Sequence, residues 1–380
     1  MSKTTLPSIR DVAALSGKTV LLRASLNVPV KGGTVTNAFR IKRALLTINY
    51  LREQGAKVVV IGHIGREPEE TLQPVHVELE RAVGAKWCPS VTGEAVQAAV
   101  HSLQEGEVLL LENVRQDPRE KAGDDSLAKE LASVADLYVN DAFAASHRSH
   151  ASLTGIPQFL PSYFGFNFLH EYEELSKAME PQHPALFILG GAKFETKLPL
   201  VAKYAKQYDT VLIGGALAND VYKARGYNVG TSLVSDIDLR SEAILTKENI
   251  VVPADVVVDG PQGRRTVAAT EVTEGESILD AGPQSIEDLL PVISSARTIL
   301  WNGPLGNFEH GFAEQTEALA RAIAASGAYS IIGGGDTIAA VEGLGIEEHF
   351  SFMSTAGGAM LTFLETGTLP AIEAVLARSN

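Results

Sequence analysis

The chain has 380 residues, 45% hydrophobic and 21% charged, which excludes a disordered protein and is more than one ordinary core accommodates, so two domains are expected. A formal net charge of −14 excludes a general nucleic-acid binder, whose affinity rests on many basic contacts to phosphate, but not a small polyanion held by locally clustered Arg and Lys. The single cysteine, Cys88, excludes an internal disulfide and reads as a packing residue in a cytoplasmic protein.

No apolar segment follows Met1 to Thr5, so no signal peptide is expected, and no stretch approaches the roughly 18 uninterrupted apolar residues of a membrane span. Short apolar runs then alternate with helix-patterned segments. In the first half they are 19–23, 57–61, 107–111 and 136–139. Segment 166–179 has helical periodicity and stops at Pro181-Gln182-His183-Pro184, as a helix linking two domains would. In the second half the runs are 185–189, 210–213, 256–258, 298–301, 329–332 and 349–353. This alternation predicts α/β units whose parallel strands are buried on both faces.

The ends of these runs carry the chemistry. They read Arg-Ala-Ser-Leu-Asn (23–27), Gly-His-Ile-Gly-Arg (62–66), Glu-Asn-Val-Arg (112–115) and Asn-Asp-Ala-Phe (140–143) in the first half. In the second they read Gly-Gly-Ala-Lys (190–193), Gly-Gly-Ala-Leu (214–217), Asn-Gly-Pro-Leu-Gly (302–306), Gly-Gly-Gly-Asp (333–336) and Ser-Thr-Ala-Gly-Gly (354–358). Open α/β sheets bind ligands outside the carboxyl ends of their strands, so these residues describe a phosphate-handling site. The stretch 329–341 is the most explicit: a buried strand breaks at Gly333-Gly334-Gly335 and a helix opens, presenting unpaired N–H groups at its positive end. Asp336 adds a carboxylate suited to Mg²⁺ beside the phosphate; taken alone, the segment also reads as a tight turn with Asp336 as N-cap.

Other chemistries lack their motifs. There is no Gly-x-x-x-x-Gly-Lys-Ser/Thr, no Gly-x-Gly-x-x-Gly after the first strand, no Gly-x-Ser-x-Gly and no His-Glu-x-x-His. His147-Arg148-Ser149-His150 offers metal-ligand types without acidic or thiol partners in sequence. Phosphoryl transfer needs cations, a Mg²⁺ site and in-line positioning, and little covalent chemistry from the protein. The first half supplies His63 with Arg23, Arg40, Arg66, Arg115 and Arg148, suited to a phosphorylated carboxylate. The second supplies the glycine loops, Lys193, Lys197, Glu309 and Asp336, suited to a nucleotide.

These motifs carry a family resemblance. Leu-Asn-Val-Pro-Val (26–30), Thr-Asn-x-x-Arg-Ile (36–41), Gly-His-Ile-Gly-Arg (62–66), Leu-Glu-Asn-Val-Arg (111–115) and Val-Asn-Asp-Ala-Phe (139–143) with His147-Arg148 lead the series. Leu-Gly-Gly-Ala-Lys (189–193), Trp-Asn-Gly-Pro-Leu-Gly-x-Phe-Glu (301–309) and Ile-Ile-Gly-Gly-Gly-Asp-Thr (331–337) complete it. From about residue 18 to its C-terminus the chain resembles the phosphoglycerate kinases. The resemblance implies two Rossmann-like three-layer α/β/α domains with mainly parallel sheets facing a central cleft. These would be a phosphoglycerate-binding domain (1–165 with 366–380), a linking helix (166–180) and a nucleotide-binding domain (181–365). It implies reversible Mg²⁺-dependent phosphoryl transfer between 1,3-bisphosphoglycerate and ADP, giving 3-phosphoglycerate and ATP, by a cytoplasmic monomer that needs no nucleic acid or membrane.

By the same resemblance, Ser25, Asn27, Arg40, His63, Arg66, Arg115 and Arg148 bind phosphoglycerate, and Arg40 also approaches the transferred group. Arg40, Lys197, Gly335 and Gly358 are the implied catalytic residues. Gly191, Lys193, Lys197, Gly214, Asn302, Gly333, Gly334, Gly335 and Thr337 hold the nucleotide, Glu309 bonds its ribose and Asp336 holds Mg²⁺; Gly357 lines the phosphate path with Gly358. Two roles stay open: Arg115 as a brace behind the pocket, and His63 as a structural histidine. The chain departs from the family at Ser25 (usually Asp), Ala356 (Gly), Asn219-Asp220 (an apolar or hydroxylic pair), Asn307 (often Val) and Glu67 (Pro). Ser25 predicts weaker acid-substrate binding, and Asn307 unsettles base preference. Since Arg40, Lys197 and Asp336 are all present, an active kinase is expected over a weak or repurposed binding protein on the same scaffold, and over a nicotinamide dehydrogenase.

Overall fold

Stretches of Val, Leu and Ile too short for a helix, closed off by glycine or polar residues, settle best as strands covered on both faces. In a computed structural model, which describes residues 5–192, 194–236, 239 and 242–379, the first half forms β1 (Thr19–Ala24), β2 (Val30–Lys31), β3 (Thr34–Val35), β4 (Lys57–Ile61), β5 (Lys86–Cys88), β6 (Val108–Leu111), β7 (Leu137–Asp141) and β8 (Ser162–Phe164). β2 and β3 make a small antiparallel hairpin; the other six form a parallel sheet in the order β5-β6-β4-β1-β7-β8. The strand period of two divides the core. Val20, Leu22, Val58, Val60 and Val139 pack with Ile41, Ile48 and Leu51 of the helix Phe39–Glu53. Leu21, Val59, Leu109 and Tyr138 pack on the other face with Leu127 and Leu131 of the helix Asp125–Ala132. Cys88 is buried in that second layer.

The second half forms β9 (Ala185–Leu189), β10 (Thr210–Ile213), β11 (Ile250–Val251), β12 (Asp255–Asp259), β13 (Arg265–Ala268), β14 (Ser277–Ala281), β15 (Thr298–Asn302), β16 (Tyr329–Gly333) and β17 (Phe352–Ser354). Six strands make a parallel sheet in the order β11-β10-β9-β15-β16-β17. Run 256–258 does not join it. It lies in β12, which pairs antiparallel with β13 and β14. Its valines look like those of the parallel strands, but the turn in which Gly263 N–H donates to Gly260 O (2.8 Å) sends the chain straight back as a hairpin. Run 349–353 is displaced too: a 3₁₀ turn occupies Glu347–His349 and the strand starts at Phe352. β7 starts one residue later than the run, at Leu137; Asp136 just before it donates its N–H to Thr19 O at 2.8 Å and accepts the Thr19 N–H on its carboxylate at 2.7 Å.

The chain divides into two compact units, one running to Glu173 and resuming at Thr368, the other Glu174–Gly367. The division falls inside the helix Phe166–Met179. In the first unit Ala371, near the C-terminus, packs on Ala142, Ala145 and Leu153. No single helix among the described residues is long and apolar enough to cross a membrane.

Asp141, at the end of β7, is buried; its Oδ1 accepts the Phe168 N–H at 2.9 Å and its Oδ2 has no partner. Burial pushes this carboxyl up to about 7, against the hydrogen bond from Phe168. Between the ordinary Asp value and about 7 the folded chain holds a proton that the unfolded chain has released, so stability falls as pH rises through that window. Asp141→Asn is expected to gain thermal stability over wild type at about pH 8 and to lose that advantage near pH 4; parallel pH dependence of the two proteins in calorimetry would contradict this.

Candidate functional site

In the first unit, parallel register sets Arg23 of β1 level with Ile61 of β4 and Asn140 of β7, so the loops after these strands emerge side by side. Asn27 ties two of the elements together. Its carbonyl accepts Arg40 Nη1 at 2.6 Å, and its Oδ1 accepts the Gly65 N–H at 2.9 Å, which leaves its amide N–H groups for a ligand. Ser25 is 7% exposed, and its hydroxyl bonds no other described residue. Burial lowers the Arg40 guanidinium from its ordinary value, partly offset by Glu171.

His63 is buried, with Nδ1 2.8 Å from Arg23 Nη2. A guanidinium only donates, so Nδ1 is the acceptor and the imidazole proton sits on Nε2. Burial holds His63 well below the usual histidine value, and Arg23, Arg115, Arg148 and His150 all push the same way, so the ring is neutral near pH 7. Arg115 donates through Nη1 to Gly65 O and is lowered to about 10, by burial and then by Arg148 and Arg23. It therefore braces the 62–66 loop as well as charging it. Arg66 is exposed and Arg148 half-buried, and neither guanidinium bonds another described side chain. Two guanidinium groups free of side-chain bonds, beside Arg23 and Arg115 that burial and then Arg148 depress, make an anion site.

In the second unit, Asn302 ends β15 level with Leu189 of β9 and Gly333 of β16, and Gly333 lies level with Ser354 of β17. The glycine loops thus meet along one edge. Gly190 has no room for a side chain: a Cβ there would lie 2.1 Å from Pro304 O and 2.6 Å from Gly303 O. Gly334, at φ 95°, precedes the helix Gly335–Leu344, whose first turn has no side-chain cap. Asp336 is therefore not the N-cap. It is the second helical residue, and its carboxyl is raised, by burial first and by Glu309 second. Thr337 Oγ1 accepts the Gly303 N–H at 2.9 Å and joins this helix end to the loop after β15. Gly357, at φ 56°, opens the helix Gly358–Thr366 in the same way, again with no side-chain cap.

Half-buried Lys197 donates to Ala192 O at 2.7 Å and lies 3.4 Å from Gly190 O. Burial lowers its ammonium from the ordinary lysine value, against Glu195. Lys193 lies outside the described residues. Asn302 is buried, with Nδ2 3.6 Å from Met360 Sδ. Beside these loops is a cavity of about 380 Å³. Tyr222, Val256, Ile278, Leu279 and Leu305 form its apolar wall, and Gly191, Asn219, Asp280, Asn307, Glu309 and Asp336 contribute polar lining or rim. Gly215 lines it, whereas Gly214 packs on Leu305, whose Cδ2 would stand 2.4 Å from an added Cβ. β12 and β14, which supply Val256, Ile278 and Leu279, are ordinary apolar segments with no phosphate motif; Leu279-Asp280 before Gly282-Pro283 is their one local signal in sequence.

The departures are accommodated differently. Positive φ in the 354–358 loop falls on Gly357, while Ala356 is buried with its N–H 3.2 Å from Ser354 Oγ. Asn219 donates to Leu233 O at 3.0 Å, and Asp220 accepts both Ser235 N–H (2.7 Å) and its hydroxyl (3.0 Å). Asn307 Oδ1 lies 2.9 Å from His310 Nδ1, and Glu67 N–H donates to Glu70 at 2.8 Å. Among the described residues no group of three or more His, Cys, Asp or Glu side chains is gathered for a metal. Asp336, half-buried and beside a second carboxylate, fits a Mg²⁺ ion whose other ligands are phosphate oxygens and water.

A family model described as "PGK: Phosphoglycerate kinase" matches residues 9–367. The chain is similar to the phosphoglycerate kinase of Rubrobacter xylanophilus, 44% identical over 98% of this chain and 99% of that one. It is 41% identical to that of Moorella thermoacetica over 99% of both. The solved phosphoglycerate kinase of Coxiella burnetii matches with TM-score 0.87 and 36% identity, covering 99% of this chain and all of that one.

Gly190→Ala tests the close approach of the 190–192 and 303–304 loops. It is expected to cost about 1–3 kcal/mol of stability and to weaken ADP binding, read by thermal unfolding and calorimetric titration. Wild-type ADP affinity in a variant of unchanged stability would contradict the packing argument.

Proposed function

The chain belongs to the phosphoglycerate kinase family, and on that premise we propose how its residues divide the reaction. It transfers a phosphoryl group reversibly between 1,3-bisphosphoglycerate and ADP. A β-phosphate oxygen of ADP attacks the acyl phosphorus, the P–O bond to the C1 carboxyl breaks, and ATP and 3-phosphoglycerate result. The attacking oxygen is already anionic and the leaving carboxylate is stable, so no residue has to take a proton. The residues position the groups and offset their charge.

The first unit takes phosphoglycerate. Arg66, Arg148 and Arg115 face its phosphate and carboxylate, and His63 donates Nε2–H as a neutral ring. Ser25 and the Asn27 amide hold its hydroxyl, and Arg40 reaches the phosphoryl group in transfer. The second unit takes the nucleotide. Its base lies against Leu279, Ile278 and Leu305, its ribose on Glu309, and its phosphates on the helix ends at Gly335 and Gly358 with Gly191, Gly333, Gly334 and Lys193. Lys197 exchanges the Ala192 carbonyl for a phosphoryl oxygen, a charge-assisted bond that restores its lowered pKa. Asp336 holds Mg²⁺, which when bound offsets charge on the phosphate oxygens. The enzyme acts as a cytoplasmic monomer. The observation that carries this reading is Arg66 and Arg148, whose guanidinium groups bond no other described side chain, together with buried, neutral His63, which fits an acidic, phosphorylated substrate.

The test is turnover of 3-phosphoglycerate and ATP in a dehydrogenase-coupled assay. Chelation of Mg²⁺ is expected to abolish activity, and Arg40→Ala or Lys197→Ala to lower kcat by about 100-fold or more with ADP affinity nearly kept. Full activity in either variant would remove its residue from the chemistry. Ser25→Asp is expected to lower KM for 3-phosphoglycerate up to roughly tenfold, the worth of one charged hydrogen bond; an unchanged KM would show that Ser25 already suffices.

A further inference from the structure

Arg23 is fully buried and, among the described residues, hydrogen-bonds to no carboxylate directly, so its charge is balanced at one remove. Its Nη1 donates to Ala24 O (2.8 Å), its Nη2 to His63 Nδ1 (2.8 Å) and its Nε to Ser152 Oγ (2.9 Å). Ser152 lies in the π-helical turn Ala151–Gly155 and donates its hydroxyl to Glu120 Oε1 (2.6 Å), while its backbone N–H donates to Glu120 Oε2 (2.8 Å). The buried Tyr138 hydroxyl donates to Ser152 O at 2.8 Å, holding that turn in place. His150 Nδ1 stands 3.7 Å from Glu120 Oε1. Glu120 and Ser152 are both 0% exposed.

The donors and acceptors of this chain have one consistent arrangement. The guanidinium only donates, so Ser152 Oγ must accept from it and donate its own O–H to Glu120, both of whose oxygens accept from Ser152. Burial raises the Glu120 carboxyl, but hydrogen bonds from His150 and Ser152 and the Arg23 charge outweigh it, leaving the group below its ordinary value. At the far end the same logic leaves His63 only its Nε2–H form. We propose that Glu120 is a positioning residue for phosphoglycerate binding: through Ser152 it anchors Arg23, and through Arg23 it holds His63 in the neutral Nε2–H tautomer. The substrate part of this inference rests on His63 facing phosphoglycerate, as given above; the link from Glu120 to the tautomer does not.

The test combines nitrogen-resolved NMR of the His63 ring with titrations of 3-phosphoglycerate and, as a control in the other unit, ADP. Wild type is expected to show His63 wholly as Nε2–H. In Glu120→Gln the buried guanidinium loses its counter-charge and leaves Nδ1, so both tautomers appear and 3-phosphoglycerate affinity falls roughly tenfold, with ADP affinity unchanged. Glu120→Asp is expected to recover part of both readouts. Where Glu120→Gln does not fold, Ser152→Ala, which breaks the link without removing a charge, is expected to mix the tautomers. His63 protonated at Nδ1 in wild type, or still wholly Nε2–H with full affinity in a folded Glu120→Gln or Ser152→Ala, would overturn the link. If His63→Ala alone binds 3-phosphoglycerate as wild type does, the substrate part falls, while the NMR result still judges the link.

Discussion

The level at which parallel strands end is the constraint on which both sites depend. Register places Arg23 beside Ile61 and Asn140 in one unit, and Asn302 beside Leu189 and Gly333 in the other. Loops that are far apart in sequence therefore start from a common edge. In the second unit the constraint reaches backbone packing, because Gly190 lies against the backbone of Gly303 and Pro304 with no room for a side chain. A shift of one residue would turn each apolar side chain to the wrong layer as well as displace the loops, so the core and the site enforce the same register.

The two units meet phosphate with different devices. The first concentrates side-chain charge: Arg115 and His63 are both depressed by burial first and then by neighbouring arginines, a repulsion that a bound anion relieves. The second relies on uncapped helix ends at Gly335 and Gly358, whose N–H groups need no side chain to carry charge. Asp336 fits this division. Free of capping duty and raised by burial and then by Glu309, it gains when a cation arrives with the phosphates. The overall charge of −14 does not oppose either device, since each acts over a few ångströms.

The sequence was most legible where chemistry and turn geometry coincide. Gly333 to Thr337 and Gly62 to Arg66 carry residue types that only a strand end facing an anion requires, and the alternating apolar runs announce parallel sheets. What stayed hidden depends on three-dimensional neighbours. The run 256–258 has the composition of a parallel strand, and only its return turn makes it antiparallel. The wall of the cavity is made of common apolar residues. Gly214 and Gly215 are indistinguishable in sequence until Leu305 packs on the first. Arg23 lies in a recognised motif, yet its support, Glu120 through Ser152, is about a hundred residues away in sequence, and hydrogen bonds leave no periodic trace.

The central proposal is that Arg66 and Arg148, whose guanidinium groups bond no other described side chain, supply the counter-charge of an acidic phosphorylated substrate. Calorimetric titration of 3-phosphoglycerate into wild type and Arg148→Ala, at low and at raised salt, tests it most directly. One site per chain is expected, with an affinity that falls roughly tenfold in the variant and a salt dependence that is weaker there than in wild type. Equal affinity in the two proteins, or binding indifferent to salt, would contradict it.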